Sequence, residues 1–202
     1  MVRKARVRPL RGPVVAPVKG CADIGDMPVG PSFTLRAERR DDPARVAALL
    51  AAVDATASEL SSRTYLRQAA INAAAAVFRR PKFASIVAES DGAIVGYGAL
   101  RHGPTALMLV NVLVSPEYQG NGIGRAIVAA LCRPVVSSGQ HVHLEVLLDS
   151  RAAHGLYRSL GFEEFGISTE KTSGQMIRLM CLSPSGPDGV SRTTTAPRDC
   201  LR

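Results

Sequence analysis

Gly120, Gly122 and Gly124 recur at every second position in "VSPEYQGNGIGRAI", between an apolar run and an apolar helical pattern. A loop without Cβ atoms lets backbone N–H groups turn inward, and a helix N-terminus behind it adds the positive end of a dipole. Such a segment either binds an anion, most naturally phosphate, or makes an ordinary tight turn from strand to helix. Two nucleotide motifs fail on spacing. The dinucleotide fingerprint G-x-G-x-x-G lacks its third glycine, because Arg125 or Ile127 stands there. No Gly-Lys-Ser/Thr follows, as a P-loop requires.

Downstream, "HVHLEV" alternates, so His141, His143 and Glu145 share one strand face and Val142, Leu144 and Val146 the other. His102 reads as a surface loop residue and His154 as solvated on a helix. The four cysteines, Cys21, Cys132, Cys181 and Cys200, form no C-x-x-C pair and have no His at metal-ligand spacing. Neither a metal nor a disulfide framework is expected.

The elements that must position these groups follow from periodicity and turn residues. "SFTLRAER" alternates as a half-buried strand. "DDPARVAALLAAVDA" is a helix, with Asp41 or Asp42 as N-cap and Pro43 in the first turn. A second Ala-rich helix, "YLRQAAINAAAAVF", stops at Pro81. "FASIVAESDGAIVGYGAL" reads as two strands about Asp91-Gly92, a dipeptide that tolerates the positive φ of a tight hairpin. A strand "TALMLVNVLV" ends at Pro116, and the glycine loop leads into a helix "GRAIVAALCR". Then come a strand "HVHLEVLL", a helix "SRAAHGLYRSL" closed by Gly161, and a β pair at "EEFGIST" and "QMIRLMCL". This order predicts an α/β fold with a mixed sheet, a meander in front and crossovers behind.

The chain's 202 residues suit one domain with tails. Of the formal charge of +8, much lies in Arg3, Lys4, Arg6, Arg8, Arg11 and Lys19, which precede the first acid, Asp23. Between Ser32 and Ser183 there are 16 Lys plus Arg against 13 Asp plus Glu, so that segment is nearly balanced. Residues 1–31 are a basic Pro/Gly-rich arm and 183–202 a tail of similar character; both are expected to be disordered, leaving 32–182 as the domain. The arm lacks aromatics for base stacking, and nucleic acid is not an expected partner. No apolar run reaches the roughly 18 residues of a membrane span, so a cytoplasmic protein without membrane contact is expected.

"VLVSPEYQGNGIGRAIV" resembles the acetyl-CoA signature of the GCN5-related N-acetyltransferase (GNAT) superfamily, V-x-P-x-x-[QR]-x-x-G-x-[GA], with Gln119, Gly122 and Gly124 on its defining positions. "LEVLLDSRAAHGLYRSLGF" is similar to the family's later motif, matching at Ala153, Leu156, Tyr157, Gly161 and Phe162, while Ser150 stands where Asn is usual. The resemblance covers about residues 32–182. It implies a GNAT fold, a mostly antiparallel sheet of six to seven strands flanked by about four helices. It also implies acetyl-CoA as co-substrate, its pyrophosphate on the amides of Gly120, Asn121, Gly122, Ile123, Gly124 and Arg125. The pantetheine would lie along Val112, Leu113 and Val114, where a strand N–H can stabilise the oxyanion. Gln119 would fix the loop, Ser150 would make a weakened cofactor contact, and Arg125 would either pair with a phosphate or stay solvated.

By the same resemblance Tyr157 is the acid that protonates departing CoA, although its spacing with Ala153 and Leu160 equally suits core packing. Glu145 corresponds to the base of ribosomal-protein N-terminal acetyltransferases, with ordered water as the other option. The implied activity is acetyl transfer to a primary amine by direct attack in a ternary complex. The acceptor, a protein N-terminus, a lysine or a small amine, is left open, as is a homodimer. A non-catalytic acyl-CoA-binding module is the alternative.

Overall fold

The computed structural model describes residues 27–28, 33–56, 82–170 and 174–184. The expected Ala-rich helix at 65–78, residues 1–26 of the arm and residues 185–202 of the tail lie outside these. The strands are β1 (Met27–Pro28), β2 (Thr34–Ala37), β3 (Lys82–Ser90), β4 (Ala93–His102), β5 (Leu107–Val114), β6 (Val142–Leu147), β7 (Glu163–Thr169) and β8 (Met176–Leu182). The helices are α1 (Asp42–Thr56), α2 (Ile123–Ser137) and α3 (Arg151–Ser159). Among the described residues the strands form one sheet in the order β1-β2-β3-β4-β5-β6-β8-β7. Only β5 and β6 run parallel; the other neighbours are antiparallel. The mixed, mostly antiparallel α/β architecture is the one expected. The short β1, inside the segment read as an arm, adds an eighth strand by pairing Met27 with Leu35 and Pro28 with Thr34.

The local chemistry of the meander is as read. Asp91 at φ 48° and Gly92 at φ 74° turn β3 into β4, the backbone twist that a two-residue hairpin needs. Helix α2 departs from expectation by running through Pro134 to Ser137. Pro134 forfeits a helical hydrogen bond, but Val135, fully buried beside Leu131 and Cys132, extends the apolar face and favours continuation.

Each sheet face has its own core. Val46 and Leu49 of α1 pack on Val87, Ile94, Tyr97 and Ala99. On the opposite face α2 packs through Ile123, Ile127 and Leu131, joined by Leu144, Val146 and Tyr157. Glycines set the depth of that second layer: a Cβ at Gly98 would lie 2.6 Å from Cγ2 of Ile127, and one at Gly96 2.7 Å from Cγ2 of Ile123. Gly98→Val is therefore expected to destabilise the protein by about 1–3 kcal/mol through overpacking. A shift of the urea midpoint at unchanged slope would measure it.

One departure from regular pairing shapes the site. β5 pairs with β6 only over Leu107–Leu109 against Val142–Leu144, yet β5 continues to Val114 and β6 to Leu147. The two strands therefore fork. On its other side β5 stays joined to β4 as far as Gly96↔Val114, with a register shift between Tyr97 and Ala99. Asn111 sits in this bulge at φ 55°, a left-handed conformation that Asn tolerates better than the β-branched residues around it.

Candidate active site

The glycine loop leaves the tip of β5 and enters α2 at the mouth of the fork. Gly120 and Gly122 have φ of 83° and 80°, and a Cβ at either would meet nothing within 4 Å. Backbone conformation, not crowding, calls for glycine there. Gly124 answers a different need, since a Cβ would come within 3.3 Å of Leu156 and 3.6 Å of Val114, where α2, α3 and β5 converge. Gln119 donates from Nε2 to the carbonyl of Val114 at 3.3 Å, and Asn121 from Nδ2 to that of Tyr118 at 3.2 Å. The loop is thus tied to the strand it leaves.

Gly122 is the N-cap of α2 and supplies no side-chain cap, and the first turn holds no acid. Its N–H groups and the positive end of the helix dipole are left for an external acceptor. Ile123 contributes backbone alone, its side chain being buried. Arg125, exposed in the first turn, donates to Oγ of Ser159 at 2.7 Å and spans from α2 to α3. Open left-handed glycines, an uncapped helix start and a neighbouring guanidinium fit a pyrophosphate in charge and in donor type.

The fork supplies the second half of the site. Among the described residues, no strand pairs with the side of β5 facing β6 from Val110 to Val114, so its backbone groups are open to an extended ligand. Val112, Leu113 and Val114 are half-buried there. Glu145 follows Leu144, the last β6 residue paired to β5, and is exposed. Its cross-strand partner is Leu179, and its face is opposite that of Leu144 and Val146.

Tyr157 belongs to the core on the other face, with Leu144 and Val146. Acid and base candidates therefore flank the fork from opposite sides of the sheet. Tyr157 is 9% exposed and edge-on to Phe162, ring centroids 5.7 Å apart. Burial, and to a lesser degree nearby Cys132, pushes its phenol up to about 12. It stays protonated at neutral pH. Ser150 precedes α3 and makes no side-chain capping bond.

The histidines divide. His143 is buried and its ring lies 5.3 Å from that of Phe165, while Nδ1 of His141 lies 3.7 Å from Sγ of Cys181. His102 is exposed at the end of β4. His154, expected to be solvated, is half-buried with Nε2 3.8 Å from Glu164, which also accepts from Arg178 at 2.9 Å. The periodicity of α3 could not foresee this, because Glu164 arrives from β7. Sequence reasoning also passed over Asn111, although a single polar residue inside "LMLVNVLV" was the available signal. No group of three or more His, Cys, Asp or Glu that could hold a metal occurs among the described residues. No helix among them is long and apolar enough to cross a membrane.

A family model described as the acetyltransferase (GNAT) family matches residues 48–162. The chain is similar to the N-alpha-acetyltransferase RimI of Mycobacterium tuberculosis, 39% identical over 84 residues that cover 40% of this chain and 52% of that protein. It thus spans about half the length of that curated relative. The crystal structure of the ribosomal-protein-S18-alanine N-acetyltransferase from Escherichia coli aligns at a TM-score of 0.57 and 23% identity, over 81% of this chain and 99% of that one. The PaiA N-acetyltransferase of Thermoplasma acidophilum, solved in complex with coenzyme A, aligns at 0.59 and 16% identity over 76% and 99%. These two likenesses establish the fold.

Proposed function

Because the chain belongs to the acetyltransferase (GNAT) family, we propose that it transfers an acetyl group from acetyl-CoA to a primary amine by direct attack in a ternary complex. The observation that carries this reading is the fork between β5 and β6 opening beside the uncapped start of α2. Acetyl-CoA, when bound, supplies the thioester whose acyl carbon the amine attacks. Amides from Gly120 to Arg125 hold the pyrophosphate at the positive end of α2. Val112, Leu113 and Val114 offer backbone to the pantetheine, and an N–H of this strand faces the developing oxyanion. Gln119 keeps the loop on the strand end, and Ser150 makes a shorter reach toward the cofactor than the usual Asn.

Glu145 and Tyr157 divide the proton work. An ammonium attacks only after losing a proton, and Glu145, exposed at the fork, takes it. Tyr157, neutral and buried on the opposite face, gives a proton to the departing thiolate. The likeness to RimI supports an α-amine of a protein as the acceptor.

Release of free thiol from acetyl-CoA, followed over a panel of peptide α-amines, lysine peptides and small amines, tests the reading. Turnover with at least one amine is expected. Tight acetyl-CoA binding without turnover of any would instead favour a non-catalytic acyl-CoA-binding module. For Glu145→Gln, kcat/KM should fall by about tenfold to a hundredfold. A kcat/KM within about twofold of wild type would assign the base to ordered water.

A further inference from the structure

β7 is the outermost strand of the sheet, and among the described residues no strand pairs with its outer side. The direction of its backbone groups follows from its neighbours. Met176 of β8 accepts at its carbonyl from the backbone N–H of Leu148 at 3.0 Å, and so bonds toward β6. In an antiparallel pair, opposed residues either exchange both backbone bonds or turn both sets away. Thr169, which opposes Met176, therefore turns its N–H and C=O outward, and so does Ile167 two residues earlier. At the turn, the N–H of Glu170 bonds inward to the carbonyl of Gln175 at 2.8 Å, as this alternation requires. The edge thus carries open donors and acceptors, a template on which another strand can add.

Only half of this edge is blunted. A register shift between Glu164 and Gly166 makes a bulge at Phe165, and Glu163 and Glu164 place charge on the same half. From Gly166 to Thr169 the strand is regular and uncharged. Ile167 on this half is 50% exposed, and Met176 behind it is 52% exposed. Ile167 opposes Arg178 and Met176 opposes Thr169, so the two apolar side chains share a face as diagonal neighbours.

We propose that the Gly166–Thr169 half of β7 is a homodimer interface, pairing antiparallel with the same strand of a second copy across a two-fold axis. A register centred on Ile167 brings outward-facing backbone groups together and sets Ile167 against its own counterpart, apolar on apolar. The same register sends Glu163 and Glu164 of the two copies to opposite ends of the pair, away from one another. The chain's own tail is a poor occupant of this edge. Between Pro187 and Pro197 it offers Val190 as its single large apolar residue, and strands seldom admit Pro. The interface uses neither the fork nor the glycine loop, so the inference is independent of acetyl transfer.

Sedimentation velocity on the full chain over a range of concentrations tests this. A concentration-dependent dimer is expected. Amide exchange followed by NMR, which needs no variant, should show the N–H groups of Ile167 and Thr169 gaining protection as concentration rises. Ile167→Glu sets two carboxylates face to face and should weaken association by about tenfold or more. Ile167→Pro removes an outward N–H without breaking a bond to β8, and should weaken it comparably. Both variants should keep native circular dichroism and wild-type affinity for acetyl-CoA. A monomer at every concentration, or a dimer formed with Ile167 and Thr169 still exchanging freely, would overturn the proposal. So would association that appears only after residues 185–202 are removed, which would assign the edge to the tail.

Discussion

Tyr157→Phe is expected to lower kcat by about two to three orders of magnitude while leaving acetyl-CoA affinity and thermal stability nearly unchanged. The substitution removes one oxygen from a side chain that is 9% exposed and packed edge-on against Phe162, so the ring and its contact survive. What is lost is a phenol that burial keeps protonated, its pKa pushed up to about 12. Because this pKa is raised, the donor form persists well above neutrality, and Tyr157 should add no alkaline limb to the wild-type rate profile below about pH 11. Single-turnover kinetics with the best amine of the panel would measure the effect. A kcat within twofold of wild type would return Tyr157 to a packing role, which its place in the core equally allows.

The second large effect is on stability. Arg36 and Asp42 form a buried bidentate pair, with Nη1 to Oδ2 at 2.6 Å and Nη2 to Oδ1 at 3.0 Å. Asp42 also accepts from the backbone N–H of Arg39 at 2.7 Å, and Arg36 donates from Nε to Glu89 at 2.7 Å. The Asp42 side chain is fully buried and that of Arg36 is 5% exposed. Removing one member of such a pair strands the other, so Asp42→Ala should cost about 3 kcal/mol or more, moderated by the remaining partner Glu89.

The pH dependence has a defined sign. The Arg36 guanidinium holds the Asp42 carboxyl below its ordinary value of 3.8. Near and below that value the unfolded chain binds the proton more readily. The contribution of Asp42 is therefore complete above about pH 4 and fades as pH falls further. Denaturant melts should give a wild-type advantage over Asp42→Ala that is constant near neutrality and shrinks in acid. An advantage that grew in acid would contradict the pairing.

Much of this architecture was readable from local pattern. Pro43 starts α1, Asp91-Gly92 turns β3 into β4, and alternation set Val142, Leu144 and Val146 against His143 and Glu145, because each depends on residues close in the chain. The glycines of the loop likewise declare their φ values in their identity. What escaped depends on partners far apart. Arg36 and Glu89 are 53 residues apart, and no periodicity announces their pairing. His154 and Glu164 meet only because β7 folds back beside α3. Alternation assigned His143 and Glu145 to one face without saying that His143 would be covered and Glu145 left open.

By itself, then, the sequence determined the order of elements, the family signature and the turn-forming glycines of "QGNGIG", all of which are encoded in runs of neighbouring residues. Only the tertiary structure decided that β5 and β6 part after Leu109, that Asn111 bulges beside the opening, and that Glu145 and Tyr157 stand on opposite faces of it. Strand register is a collective outcome of packing on both faces of the sheet, and no single segment carries it.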